Sequence, residues 1–413
     1  MFNKYFKGLD KKKVISWSLY DFANSAYTIL ILSFVFPIYF KEVIANNAAA
    51  DFYWGLIVSV SILIGGIIAP VIGAVADYDN RRKSKFIIFV LIAVIGTAAL
   101  YFTGQGTLLF ASLIFILANI FVELAQALYD SFLPEISKNK NAGKVSGLGW
   151  GLGYLGGIVA MLALRPLYVN GYSNDTLYRL VFPLTALFFL IFSIPIFINL
   201  KDKKLKKTKV NIWKKTVQGF KDVLTTLKQI RRYKNVGLFL VAFYFMNDAL
   251  VTVFTFLPIY AKSTLLLSFT QIMIGAVLGQ VIGFIATIIF GSLSDRVGSK
   301  KLVLAAIGVW MLSIAILYFS FSATLFYIVA VLSGLAIGSS QAIARSWLSR
   351  IIPYAKRSQF FGFNAFASKI AATTGPLLFG AISVITGNQR LALLSIIALF
   401  LISFILFLFV KER

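Results

Sequence analysis

The sequence predicts an all-α integral membrane protein of twelve transmembrane helices in two pseudo-symmetric six-helix bundles. Three observations predict it. Hydrophobic residues make up 59% of the 413 residues, mean hydropathy is +0.86 and only 13% are charged. A soluble domain cannot bury that much apolar surface, whereas a bilayer can. Twelve apolar stretches divide the chain, and landmarks of the first six recur in the last six.

Stretches able to cross about 30 Å of hydrocarbon lie at 15–41, 53–76, 85–103, 107–133, 144–165 and 178–200. A polar interval follows, then six more at 236–262, 267–291, 301–320, 323–350, 358–386 and 389–410. With these as spans 1 to 12, the side carrying both termini holds 33 Lys and Arg and the opposite side 5. That asymmetry predicts an inner-membrane protein with cytoplasmic termini, and it accounts for a net charge of +25 without nucleic acid. Ala48-Ala49-Ala50 resembles a signal-peptidase site, but the preceding apolar run is too long for a signal sequence and contains Asp21 and Asn24. Span 1 is therefore expected to remain.

The expected organisation is a bundle over 1–200, a basic linker over 201–234 and a second bundle over 235–413. Within the linker, Trp213, Val217, Phe220, Leu224 and Leu227 recur at helical spacing among lysines. This predicts an amphipathic helix at 210–232, lying on an anionic lipid surface or against the bundle. The chain has no Cys and no His, which removes thiol chemistry, thiolate metal sites and the usual near-neutral proton carrier. No metal-ligand cluster, activated nucleophile or Walker element is visible, so neither enzyme activity nor a cofactor is expected.

The repeat is specific. Gly73-Ala74-Val75-Ala76-Asp77, followed by Arg81-Arg82-Lys83, reappears as Gly291-Ser292-Leu293-Ser294-Asp295, followed by Lys300-Lys301. Phe22-Ala23-Asn24-Ser25-Ala26 matches Phe245-Met246-Asn247-Asp248-Ala249, and Pro37-Ile38-Tyr39 matches Pro258-Ile259-Tyr260. An ungapped shift of 215 pairs Gln126 with Gln341 and Gly147 with Gly362. Repeated membrane-embedded halves point to two packed bundles with a pathway between them, hence to a transporter.

The two Gly-x-x-x-Asp loops resemble the signature loop of the major facilitator superfamily, with Asn80 where the family usually has Gly and Tyr78 in place of a basic residue. The resemblance implies the major facilitator fold. It also implies gating roles for Gly73, Asp77, Arg81, Arg82, Gly291, Asp295 and Lys300, with Asp77 locking near Gln359 and Asp295 near Ser146. A carboxylate suits such a lock, because a helix N-terminus presents unsatisfied N–H groups and the positive dipole end. Ser16-Trp17-Ser18-Leu19-Tyr20-Asp21-Phe22-Ala23-Asn24, Phe36-Pro37-Ile38-Tyr39-Phe40 and Leu133-Pro134-Glu135-Ile136 resemble the branch holding the fungal vacuolar amino-acid effluxers linked to autophagy. That branch implies export of amino acids or similar small metabolites.

Polar groups at membrane depth carry the functional reading, since each charge there costs a few kcal/mol. Asn119, Glu123, Gln126 and Asp130 share one face of span 4. Shifted by 215, that face in span 10 includes Gln341 and Arg345. In this superfamily both spans line the central cavity, so the resemblance turns the two faces towards one another. Asp21 and Asn24 share a face of span 1; Asn247 and Asp248 lie mid-span in span 7, and Lys369 in span 11. These residues form either a substrate and proton site or a structural polar clasp. Glu123 is the expected coupling carboxylate, and acids with bases in one cavity suit a zwitterionic or carboxylate-bearing solute. Gly147, Gly151 and Gly153 or Gly156 are read as close helix contacts rather than a nucleotide loop. Gly375-Pro376 and Pro37 are read as bends. The expected function is secondary transport of a small polar metabolite; a lipid or lysolipid translocator on the same fold is the alternative.

Overall fold

The computed structural model describes residues 9–79, 81–137, 142–200, 233–352, 368–370 and 372–412. The linker and its expected helix at 210–232 lie outside the described residues. Among the described residues every regular element is helical. Span 1 becomes α1 (Lys11–Ala45), followed by α2 (Ala50–Asp79), α3 (Arg82–Ala99), α4 (Leu108–Ile136), α5 (Ala142–Tyr168) and α6 (Val181–Asn199). The second half contributes α7 (Lys234–Ser263), α8 (Phe269–Val297), α9 (Ser299–Phe319), α10 (Ala323–Ile351), α11 (Thr374–Thr386) and α12 (Gln389–Phe409). Eleven helical stretches among the described residues are long and apolar enough to cross a membrane, that of span 11 counted over Ser368–Thr386, and α10 carries a shorter apolar stretch, Ala323–Ile337.

Several helices outrun their apolar stretches. α2 continues to Asp79 and α8 to Val297, because hydropathy ends at the bilayer surface whereas backbone hydrogen bonding does not. Caps fix other ends. Asp10 accepts from the Lys13 N–H at 3.3 Å, and that hydrogen bond holds its carboxyl below the usual carboxylate range. Ser268 and Gln271 form a reciprocal capping box on α8.

Two helices break inside the membrane, at the prolines read as bends. α1 widens to i→i+5 hydrogen bonding over Thr28–Ser33 and leaves helical geometry at Phe34 (φ −123°, ψ −73°). Pro37 lacks an N–H and crowds the Ser33 carbonyl, so the regular ladder stops there. In span 11, α11 starts only at Thr374, after a turn at 372–373. Pro376 occupies its first turn, where a missing N–H is harmless.

The chain forms two compact units. One comprises Met1–Tyr39 and Ile64–Gly219; the other comprises Phe40–Leu63 and Phe220–Arg413. In the first, α1 packs against α5 and α6, and α3 against α4 and α6. In the second, α7 packs against α11 and α12, and α9 against α10 and α12. Each unit thus repeats the other's neighbour relations. α5 carries the expected contact at Gly156, where a Cβ would collide with the Phe22 carbonyl of α1, and a further one at Gly149, where a Cβ would meet Asp21. Gly147, in the same run, has nothing within 4 Å.

Candidate functional site

In the first unit the polar groups of α1 and α4 form a ladder between antiparallel helices. Tyr129 Oη donates to Asp21 Oδ2 at 2.6 Å. Further along, Asn24 Nδ2 donates to Gln126 Oε1 at 3.4 Å, and Tyr27 Oη to Asn119 Oδ1 at 3.3 Å. Along α4 itself, Gln126 Nε2 reaches Asp130 Oδ1 at 3.2 Å, the i,i+4 pairing that the shared face demands. Asn119 is buried, Glu123 half-buried and Asp130 exposed. Gly65 of α2 makes room for Glu123, whose Cβ lies 2.9 Å from where a Gly65 Cβ would stand. Five of the six sequence-selected polar residues on these helices are joined by these hydrogen bonds, with Glu123 on the same α4 face.

Tyr129 and Tyr27 complete the ladder and escaped sequence reasoning. Tyr129 sits beside Asp130, off the polar stripe, and an aromatic in an aromatic-rich span carries no distinguishing pattern. Its place is set by Trp17, whose ring stacks on it at 4.4 Å and whose Nε1 donates to the Tyr129 carbonyl at 3.1 Å. The tyrosine therefore presents an amphipathic side chain, with its ring in the core and its hydroxyl on Asp21.

The second unit repeats one rung. Gln341 Nε2 of α10 donates to Asn247 Oδ1 of α7 at 3.3 Å, matching Gln126 and Asn24 in the sequence repeat. Asn247 Nδ2 in turn donates to the Ser368 carbonyl at 3.1 Å, and Tyr244 and Thr374 hydroxyls meet at 3.1 Å. Lys369 is half-buried on the short stretch at 368–370. The repeat extends to the far ends of the bundles. Tyr39 Oη donates to the Thr103 carbonyl at 3.3 Å and Tyr260 Oη to the Leu317 carbonyl at 2.8 Å.

Asp248 takes a different position. It is fully buried, and its Oδ1 accepts from the Gly375 N–H at 2.8 Å, in the first turn of α11. Its Oδ2 has no hydrogen-bond partner among the described residues. A carboxylate here satisfies a helix start in the bilayer, where unsatisfied N–H groups find no water. Gly375 allows the approach, because a Cβ there would meet Thr252 Oγ1.

Of the residues assigned to gating, Arg81 is exposed, whereas Arg82 pairs with Glu135 of α4 at 2.9 Å, donates to the Ser131 carbonyl at 3.3 Å and lies over the Phe132 ring. Lys300 Nζ donates to the Leu408 and Val410 carbonyls at 2.6 and 2.9 Å, closing the C-terminal end of α12. Reciprocally, Glu412 accepts from the Ser299 and Lys300 N–H groups at the start of α9. Gly73, Asp77, Gly291, Asp295 and Arg345 lie on helices; the Asp77, Asp295 and Arg345 side chains and the whole of Gln359 lie outside the described structure. No group of three or more metal-ligating side chains occurs among the described residues.

The fold resembles transporters of known structure. The nucleoside transporter NupG (D323A mutant) superposes with TM-score 0.75 at 15% identity, over 97% of this chain and 100% of that one. A D-xylose-proton symporter gives 0.70 at 18%, over 97% of each. In sequence, the chain is 31% identical over 412 residues to the uncharacterized MFS-type transporter YxiO of Bacillus subtilis (strain 168), covering 97% of this chain and 95% of that protein. It is 26% identical over 298 residues to autophagy-related protein 22 of Yarrowia lipolytica, covering 65% of this chain and 50% of that protein. The family described as "Vacuole effluxer Atg22 like" matches residues 53–413. Repeated neighbour relations among the described helices, together with these relatives, lead to one assignment: the chain is a membrane transporter of the major facilitator superfamily and belongs to its Atg22-like vacuole effluxer family.

Proposed function

We propose that this protein exports a small polar metabolite, an amino acid or related carboxylate-bearing solute, across the inner membrane by proton-coupled alternating access. The observation that carries the reading is the duplicated Asn–Gln rung, Asn24 with Gln126 and Asn247 with Gln341. Lipid-facing surface has no use for two such pairs at equivalent depth, whereas a polar pathway does. In this reading Asp21, Asn24, Asn119, Glu123, Gln126, Asp130, Asn247, Asp248, Gln341, Arg345 and Lys369 serve substrate and coupling. Gly73, Asp77, Arg81, Arg82, Gly291, Asp295 and Lys300 serve gating, and both termini are cytoplasmic. The basic segment at 210–232 rests on anionic lipid, joining bundles at 1–200 and 235–413.

Glu123 carries the proton. It lies on the ladder face, and a carboxyl can load and unload where a permanent charge cannot. The test is uptake of a mixed pool of labelled amino acids into proteoliposomes, with and without an imposed pH gradient. Gradient-dependent accumulation is expected. Glu123→Gln is expected to lose accumulation at least tenfold while keeping equilibrative exchange. Unchanged accumulation in that variant removes Glu123 from coupling, and no uptake by folded, inserted protein moves the reading towards a lipid substrate.

A further inference from the structure

Residues 40–63 come from the first sequence repeat yet belong to the compact unit that contains the second. A buried polar network ties them there. Asp51, in the first turn of α2, is 4% exposed. Its Oδ1 pairs with Lys41 Nζ at 2.8 Å. Its Oδ2 accepts from Ser383 Oγ at 2.6 Å and from Gln389 Nε2 at 2.7 Å. Lys41 also donates to Ser263 Oγ at 3.2 Å, while the Ser263 and Thr264 hydroxyls both donate to Gln389 Oε1. These residues lie at the ends of α1, α7 and α11 and the starts of α2 and α12, all on the face opposite the chain termini.

Deeper along α2 the contact becomes close. Trp54 Nε1 donates to the Thr255 carbonyl at 3.3 Å, and Ser59 Oγ to the Thr373 carbonyl at 2.7 Å. A Cβ on Gly55 would strike the Pro376 carbonyl, and one on Gly380 would lie 2.7 Å from the Asp51 carbonyl. Backbone thus meets backbone beneath a charged cap.

We propose that Lys41, Asp51, Ser383 and Gln389 form a latch that holds this face of the transporter shut and parts whenever the pathway opens there. The inference rests on the alternating-access reading, in which the two repeats separate on each face in turn. Every partner that Asp51 holds beyond Lys41 belongs to the second repeat, so separation on this face must break these bonds. A polar latch suits repeated use. When it parts, a carboxylate, an ammonium and an amide gain water in place of one another, whereas parting an apolar seal exposes hydrocarbon. Removing one charge leaves the other buried without its partner, and this biases the equilibrium towards the open form, where water can reach it.

The chain has no cysteine, so an introduced thiol reports alone. Ser59→Cys places it eight residues beyond Asp51, about 12 Å deeper at 1.5 Å per residue, at a position only 2% exposed. Ser193→Cys, fully buried on α6 of the other unit, is the control. The rate of reaction with a charged maleimide is measured in lipid nanodiscs, alone and combined with Asp51→Asn or Gly380→Ala. Gly380→Ala leaves every charge in place and tests the latch sterically should Asp51→Asn fold poorly. At least tenfold faster labelling at position 59, with position 193 unchanged, is expected from both variants. Rates at position 59 within twofold of the latched protein would overturn the proposal. So would equal acceleration at both positions, which reports a loosened fold. No substrate enters this assay, so a failed uptake experiment and a failed latch remain distinguishable.

Discussion

Asp248→Ala is expected to lose about 2–3 kcal/mol of stability, read as a lower melting temperature in detergent, and to lose most transport. The size follows from stranding a buried N–H at Gly375, worth about 1–3 kcal/mol, and removing a carboxylate from a helix start, worth at most about 2 kcal/mol. α11 begins inside the membrane only because the chain turns at 372–373 and Asp248 Oδ1 takes up the Gly375 N–H. Asp248→Asn separates two roles. An amide oxygen still accepts that hydrogen bond, so most of the stability should return. If Asp248 acts only as a cap, the Asn variant also keeps accumulation driven by a pH gradient. Normal stability with accumulation lost would instead make Asp248 a coupling group. Paired melting and uptake measurements on the two variants distinguish these outcomes.

Gly156→Leu is expected to abolish recovery of folded protein, whereas Gly147→Leu leaves it unchanged. Both glycines lie on α5. At Gly156 the first carbon of any side chain would overlap the Phe22 backbone carbonyl of α1, and a helix backbone cannot yield as a flexible side chain can. At Gly147 the same carbon enters open space. Overpacking in a well-packed interior costs about 1–3 kcal/mol or more, and here the clash runs along the α1–α5 contact on which the first unit depends. Size-exclusion chromatography of detergent extracts provides the readout. Equal yields from both variants would mean that α1 and α5 do not pack this closely.

The members of the Asn–Gln rungs, though not their pairing, were legible in the sequence because each recurs in the repeat and lies at membrane depth. Twelve apolar runs and the charge asymmetry likewise gave the helices and the expected topology. Legibility failed where position depends on a neighbour from a distant part of the chain. Nothing in the local pattern distinguishes Tyr129 from other buried aromatics; Trp17 on α1 selects it. Asp51 reads in sequence as an acidic residue at a membrane edge, where charge is unremarkable. Only its three partners, Lys41 of α1, Ser383 of α11 and Gln389 of α12, make it a buried hub. Asp248 was visible as a mid-span acid, but its use as a helix cap required knowing where α11 starts.

By itself the sequence determined that this protein spans a membrane, how many times, and that its halves repeat. Those properties follow from hydropathy, charge counting and periodicity, which act residue by residue against a uniform solvent. Tertiary structure alone decided which polar groups face one another and which are sealed. It joined residues 40–63 to the second repeat, turned Asp248 towards a helix start and placed Lys300 on the end of α12. Inside a bilayer a polar side chain must find a partner within hydrogen-bond reach, and which partner lies within reach is a property of how the helices pack.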